Sequence, residues 1–336
     1  MFMDTITTSP ASAFQCSTVA ILGRPNAGKS TLLNALLESD LSATSDRPQT
    51  TRSNVKGILQ RYNEQKEWIA QHVLVDTPGV NLKKGLLDRS MYTSIEEAMR
   101  DVDIAVWVAD CRKFERDLDD IAMGRSGQED RLGLWLRDQI KKPEQRTKWF
   151  LVLSKVDMVD KAELLPLMEK AAEVLPEFIE IVPVAALQGL ANKRSNVSGF
   201  LGVLDQNAPE GDALYPEDAW TDQSGRDVVR NLIRESIFRG SYKEIPYECD
   251  CYIESWVDAV PGRRTEVNAT ICVSRDSIKR IIVGKGGSKI KDLGITVRKR
   301  YQDITGEEII LKLFVKVIDK WTQMPDRLRD LGYAES

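Results

Sequence analysis

Apolar positions fall into two registers along this chain. Six short apolar runs, at 19–22, 55–59, 73–75, 104–109, 150–153 and 179–184, read as strands. Between most of them lie stretches with apolar residues three and four apart, at 30–37, 88–100, 129–140 and 162–174, which predict helices, and a further helix is expected at 197–204. Strands alternating with helices of this length predict an α/β unit with a mostly parallel sheet and helices on both faces. Two polar stretches interrupt the alternation. The charged segment 112–128 reads as a surface insertion without function, and Tyr62-Asn63-Glu64-Gln65-Lys66 as a hairpin tip.

The pattern stops at Asn207-Ala208-Pro209-Glu210-Gly211, where prolines and acids predict a linker over 208–223. Beyond it come a helix at 227–238, a strand at 247–256, the turn Val260-Pro261-Gly262-Arg263, and an alternating strand carrying Val267, Ala269, Ile271 and Val273. A short helix at 277–283, a glycine loop, a helix with Ile290, Leu293, Val297 and Tyr301, and a strand with Leu311, Leu313, Val315 and Val317 complete an α-β-β-α-α-β order. The expected organisation is a flexible tail over 1–16, a first domain over 17–207, the linker, and a second domain over 224–333.

The first strand leads into Gly23-Arg24-Pro25-Asn26-Ala27-Gly28-Lys29-Ser30, a complete G-x-x-x-x-G-K-S loop with a strand before it and a helix after. The glycines let the backbone wrap a phosphate while N–H groups at the helix start point inward. Lys29 reaches the outer phosphates, the Ser30 hydroxyl is placed for magnesium, and Thr31 continues the cradle. Asp76-Thr77-Pro78-Gly79-Val80 follows the run at 73–75. Asp76 can hold magnesium through water and the Gly79 N–H can meet a terminal phosphate, a pairing that senses the third phosphate. Gln49-Thr50-Thr51-Arg52 lies between the first helix and the second strand, where a hydroxyl would complete the magnesium shell, Thr51 being favoured over Thr50.

Ser154-Lys155-Val156-Asp157 follows the run at 150–153. A carboxylate such as Asp157 accepts two hydrogen bonds from the guanine N1–H and exocyclic amine, a pair that adenine lacks. Lys155 can lay its stem over the base, and a backbone N–H at Ala185-Ala186, after the last strand, can meet the guanine O6. These motifs, with the α-β-β-α-α-β second part and the ending Leu328-Arg329-Asp330-Leu331-Gly332-Tyr333, resemble the Era family of ribosome-assembly GTPases over about residues 18–333. The resemblance implies a P-loop GTPase domain followed by a type II KH-like domain, and hydrolysis of GTP to GDP and phosphate with magnesium. It further implies binding near the 3′ end of small-subunit (16S) ribosomal RNA during assembly and maturation of the 30S subunit. It also suggests potassium as a second cation near the phosphates, held by Asn26 beside the catalytic Lys29. A cytoplasmic monomer is expected, with peripheral contact at the inner face of the membrane.

Some positions depart from the family pattern. The usual N-K-x-D begins here with Ser154, whose side chain has a shorter reach and fewer donors, and the usual S-A is Ala185-Ala186. Each lost hydrogen bond is worth ~1 kcal/mol, so weaker binding with guanine preference retained is expected. Ras-type enzymes place a water-positioning Gln just after D-x-x-G, where this chain has Val80, so hydrolysis is expected to be slow until something orders the site. The single histidine, His72, is expected at a strand edge without catalytic role.

Charge enters through its distribution. The net charge is only −4, yet residues 275–300 hold nine basic against two acidic side chains, a local excess of +7. Within that run Gly284-Lys285-Gly286-Gly287 fits the G-x-x-G loop by which KH domains bring backbone against a nucleic-acid strand. Gly284, Lys285, Gly286 and Gly287, flanked by Lys279, Arg280 and Lys289, are the candidate RNA-binding residues, and of Ile278, Ile281, Ile282 and Val283 some must be core while one or two can line the groove. Five cysteines (Cys16, Cys111, Cys249, Cys251 and Cys272) without a C-x-x-C argue against a disulfide framework or a zinc site, and Cys249 and Cys251 share a sheet face. The first fifteen residues lack the features of a signal peptide, and no stretch of ~18 apolar residues occurs. Two other readings stand beside the switch: an RNA-binding module with a weakly active G domain, and a GTPase of tRNA modification or signalling.

Overall fold

The computed structural model describes residues 13–42, 51–79, 86–123, 132–141, 146–240 and 245–333. Strands β1 (Gln15–Gly23), β2 (Val55–Tyr62), β3 (Trp68–Asp76), β4 (Ile104–Asp110), β5 (Lys148–Ser154) and β6 (Glu180–Val184) form one sheet in the order β2-β3-β1-β4-β5-β6. Only β2 runs antiparallel to its neighbour. Helices α1 (Lys29–Leu37) and α6 (Val197–Asn207) pack on one face, and α2 (Leu86–Ala98), α3 (Cys111–Ala122), α4 (Leu132–Ile140) and α5 (Lys161–Val174) on the other. Covering on both sides is why a strand such as β4 is buried from Ile104 to Ala109 without alternation. β1 begins at Gln15, inside the stretch expected to be a tail, while residues 1–12 lie outside the described ones.

The segment 112–128 is not a surface insertion over its first part. Residues 111–122 form α3, whose Cys111, Phe114, Leu118 and Ile121 are buried at helical spacing beneath a charged outer face. Asp110 caps it, its carboxylate accepting from the Arg112 N–H at 3.2 Å. Residues 124–128 lie outside the described ones.

Residues 208–223 are docked on the sheet. Cys16 N–H donates to Pro209 O at 3.0 Å and Ile58 N–H to Trp220 O at 2.9 Å. The Thr221 hydroxyl donates to Lys56 O at 2.6 Å.

The second domain follows the expected order: α7 (Gly225–Gly240), β7 (Cys249–Val257), β8 (Thr265–Val273), α8 (Asp276–Val283), α9 (Ser288–Thr305) and β9 (Ile309–Val317), then a short α10 (Pro325–Asp330). β8 pairs antiparallel with β7 and parallel with β9. Val267, Ala269, Ile271 and Val273 face a core completed by α7 residues such as Val229 and Ile233, and Cys249 and Cys251 lie in that same core. All five cysteines are buried and free. A separate cluster of Trp321, Leu328, Leu331 and Tyr333 closes the chain, with Leu87 of α2 packed against it.

Candidate functional site

A cavity of about 890 Å³ opens at the carboxyl ends of β1, β4 and β5, where open α/β sheets hold ligands. The phosphate loop forms its floor. Gly28 turns the chain at φ +100° into α1, and the Lys29 ammonium lies 3.2 Å from Gly23 O and 3.1 Å from Arg24 O. Burial draws Lys29 down to about 8 while the Asp76 carboxylate opposes the shift, so an anion arriving in the loop favours its charged form. Gly79 sits tight against this loop: a Cβ there would lie 2.7 Å from the Pro25 Cα, so only glycine permits the approach.

Behind Ser30 the oxygen atoms converge. Asp76 Oδ2 accepts from the Ser30 hydroxyl at 2.6 Å, the Ser42 hydroxyl at 2.6 Å and the Thr51 hydroxyl at 3.2 Å, and Ser30 and Thr51 hydroxyls are 2.9 Å apart. Asp76 Oδ1 is buried with no hydrogen-bond partner among the described residues. Hydroxyl and carboxylate oxygens with one carboxylate atom left over fit a hard, partly hydrated cation such as magnesium, whose remaining shell comes from substrate phosphates and water. Among the described residues no cluster of three or more His, Cys, Asp or Glu forms a metal cage of its own.

The residues expected to read the base follow β5 and β6. The Ser154 hydroxyl is 2.5 Å from Ala27 O and 3.1 Å from Ala109 O, so the serine reaches the phosphate loop despite its length. Lys155, at φ +61°, donates to Asn26 O at 2.6 Å and pairs with Asp110 at 2.9 Å. Burial would raise the Asp110 carboxyl, but hydrogen bonds from Arg112 and Lys155 outweigh it and hold the group well below the usual carboxylate range. Asp157 stands exposed at the mouth beside Met158 and Leu187.

Arg24, Pro25, Asn26, Ala27, Gly28, Lys29, Ser30, Thr31, Thr51, Gly79, Ser154, Lys155, Asp157 and Ala186 line the cavity as expected. Gly23, Asp76, Thr77, Pro78 and Ala185 do not: Thr77 is buried with its hydroxyl donating to Ile21 O, and the Ala185 N–H is spent on Ser195 O. Gln49, Thr50 and Val80 lie outside the described residues.

Arg52 departs most from expectation. Its side chain turns away from the nucleotide cavity and is buried in the second domain, donating to Cys249 O at 3.1 Å and Asp250 at 3.1 Å, with the Tyr333 hydroxyl at 3.2 Å. Asp250 also takes Arg234 Nε at 2.5 Å and the Tyr333 hydroxyl. Burial would raise the Asp250 carboxyl, but Arg234 and Arg52 hold it below its ordinary value. The guanidinium of Arg52 also faces the Phe238 ring at 5.2 Å.

Other residues escaped the sequence reading. α3 brings Arg112, Lys113 and Asp117 to the cavity wall, Asp117 holding Arg24 in a two-pronged pair at 2.9 and 3.0 Å. The 3.6-residue spacing of Phe114, Leu118 and Ile121 was the available signal. Phe238 and Arg239 of the second domain also line the cavity. His72 is not at an edge: β3 lies between β2 and β1, and the ring is buried with Nδ1 2.7 Å from the Ser17 hydroxyl and Nε2 2.8 Å from Asp205. It ties β1 to α6, away from the cavity.

On the second domain, Gly284, Gly286 and Gly287 all have positive φ, which builds the sharp loop between α8 and α9. Lys285 and Lys289 are exposed beside it, with Arg280 at the end of α8 and Lys279 half-buried. Ile278 and Ile282 are core, whereas Ile281 is exposed and Val283 half-buried near the loop. Two members of the basic run are already paired, Arg275 with Glu248 and Arg300 with Glu235.

A phosphate loop on a mostly parallel sheet, hydroxyl and carboxylate oxygens converging behind its serine and an exposed carboxylate at the cavity mouth form the arrangement of a P-loop GTPase, here joined to a KH domain. Comparison with known proteins agrees. Residues 18–155 match the family model described as 50S ribosome-binding GTPase, and 244–322 match that of the KH domain. GTPase Era of Trichlorobacter lovleyi is 34% identical over 96% of this chain and 99% of its own length, and GTPase Era of Pseudomonas fluorescens is 36% identical over 97% and 99%. The crystal structure of an Aquifex aeolicus Era variant bound to GDP and tetrafluoroaluminate superposes with a TM-score of 0.82 at 30% identity, covering 96% of this chain and all of that one. Era in complex with MgGDPNP and nucleotides 1506–1542 of 16S ribosomal RNA gives 0.82 at 29% identity, covering 96% and 99%. The chain belongs to the Era family of GTPases; it hydrolyses GTP to GDP and phosphate and uses magnesium.

Proposed function

We propose that the chain is a GTP-operated switch that binds the 3′ end of 16S ribosomal RNA through its KH domain and acts in assembly and maturation of the 30S subunit. The observation that carries the switch is the placement of two adjacent side chains. Thr51 points its hydroxyl at Ser30 and Asp76, and Arg52 buries its guanidinium in the second domain. A terminal phosphate that pulls on Thr51 therefore pulls on the second domain through one peptide bond. The RNA reading is supported by the exposed lysines around the G-x-x-G loop and by the relative that carries 16S RNA. In this reading the nucleotide is contacted by the cavity-lining residues named above, and Gly284, Lys285, Gly286, Gly287, Lys279, Arg280 and Lys289 meet the RNA backbone.

Replacing Lys285 and Lys289 together with alanine is expected to weaken binding of a 16S 3′-end RNA and to flatten the dependence of affinity on salt by about two phosphate contacts. An unchanged salt slope would remove this surface from the account. Potassium near the phosphates belongs to the same reading: Asn26 sits at the loop crest at φ +62°, and single-turnover hydrolysis is expected to run faster in potassium than in sodium. Equal rates would eliminate that part. The chain is read as a cytoplasmic monomer that can also contact the inner face of the membrane peripherally; among the described residues no helix is long and apolar enough to cross a membrane.

A further inference from the structure

Among the described residues, the second domain contributes two side chains to the wall of the nucleotide cavity, Phe238 and Arg239 in the last turn of α7. The same cavity is lined by Thr51 and Gly79, the residues assigned above to the outer-phosphate end. Phe238 faces the Arg52 guanidinium, which places this turn of α7 next to the segment that carries Thr51. Arg239 forms an ion pair with Glu235: its guanidinium is 2.7 Å from Glu235 Oε1, on a side chain only 1% exposed. The other Glu235 oxygen pairs with Arg300 of α9, the helix that begins at the G-x-x-G loop. The Arg239 side chain itself remains about half exposed.

Hydrolysis concentrates charge at this end of the cavity. The water oxygen bonds to the γ-phosphorus and the bond from that phosphorus to the β–γ bridging oxygen breaks. The bridging oxygen leaves with the electron pair on GDP, and the protons of the water pass to the phosphate and solvent. A cation near the γ-phosphoryl oxygens and the leaving oxygen lowers the barrier, and an arginine in this role is worth roughly a thousandfold or more in well-built cases. The sequence offers no hydrogen-bonding side chain at position 80, directly after Gly79.

We propose that Arg239 is a catalytic cation supplied by the second domain to the terminal phosphate of GTP. Glu235 is its positioning residue and links it to the RNA-side helix. The inference rests on the outer-phosphate assignment made above. It gives RNA a route to hydrolysis: a shift of α9 moves Arg300, frees or tightens Glu235, and re-aims Arg239.

The test uses the full chain with Arg239→Ala, Arg239→Gln and Arg239→Lys. Single-turnover GTP hydrolysis and the affinities for GDP and for GDP with aluminium fluoride are measured in magnesium buffer. The alanine and glutamine variants are expected to hydrolyse at least about tenfold more slowly and to lose a similar factor in affinity for the fluoride complex, with lysine restoring part of both. Affinity for GDP alone should change less than about threefold, because that ligand lacks the group Arg239 meets. Hydrolysis and fluoride-complex affinity at the wild-type level in Arg239→Gln, which keeps much of the stem and its packing, would overturn the proposal while leaving the pocket intact. A wild-type chain that binds no GDP would overturn the pocket assignment as well.

Discussion

Asp250→Ala is expected to destabilise the chain by about 3–5 kcal/mol, the range found when one partner of a buried ion pair is removed. Asp250 is 1% exposed and is the carboxylate shared by two buried guanidinium groups, Arg52 and Arg234, with Tyr333 as a third partner. Its loss leaves two positive charges in a site whose remaining acceptors are uncharged, Cys249 O and the Tyr333 hydroxyl for Arg52 and Leu331 O for Arg234. The arginines cannot shed their protons in response, since guanidinium stays charged under all ordinary conditions. The measurement is denaturant unfolding followed by tryptophan fluorescence, with the two domains fitted as separate transitions because a two-domain chain need not unfold in one step. Asp330→Ala serves as the control, since its partner Arg327 is solvent-exposed and such pairs contribute at most about 1 kcal/mol. A loss for Asp250→Ala no larger than the control would mean that the cluster does not hold the domains together.

Asp157→Asn is expected to cost at least about a hundredfold in GDP affinity and to relax the preference for guanine. The carboxylate offers acceptors to both guanine donors, and hydrogen bonds to a charged group are worth about 1.5–3 kcal/mol each. An amide keeps one acceptor and turns a donor toward the other guanine N–H. The lost bond with its facing donors, and the charge removed from the bond that stays, together correspond to about two decades in Kd. The same titration on Ser154→Asn is expected to show a gain of about fivefold, smaller than the departure from N-K-x-D suggests. The Ser154 hydroxyl already reaches Ala27 O, so an asparagine adds one further bond of about 1 kcal/mol. GDP affinity unchanged in Asp157→Asn would place the base elsewhere.

Most of the architecture was legible because it is local. Apolar runs of strand length, helical spacing between them and glycine loops at their ends carry the phosphate site, the base site and the α-β-β-α-α-β order without reference to distant contacts. What was not legible depends on partners far along the chain. Arg52 reads as part of a phosphate-sensing segment, yet its side chain meets Asp250 and Tyr333, 198 and 281 residues away. The ending Leu328 to Tyr333 resembled a family terminus with no physical reason attached; the structure supplies one, since Tyr333 completes the Arg52 cluster and Leu328 and Leu331 pack with Trp321. α3 was missed for a different reason. Its charged outer face dominates the composition of the segment, and the thin apolar stripe of Phe114, Leu118 and Ile121 only becomes decisive once a sheet lies beneath it. Phe238 and Arg239 look like ordinary positions on an amphipathic helix until α7 is docked against the nucleotide cavity.

In the proposed switch, nucleotide state and RNA binding are coupled through Thr51, Arg52 and the second domain. This coupling is tested most directly by titrating a 16S 3′-end RNA into the intact chain by calorimetry, once saturated with GDP and once with a non-hydrolysable GTP analogue. Different RNA affinities are expected in the two states, with the same factor when the nucleotides are titrated with and without RNA. RNA affinities that coincide in the two nucleotide states would contradict it.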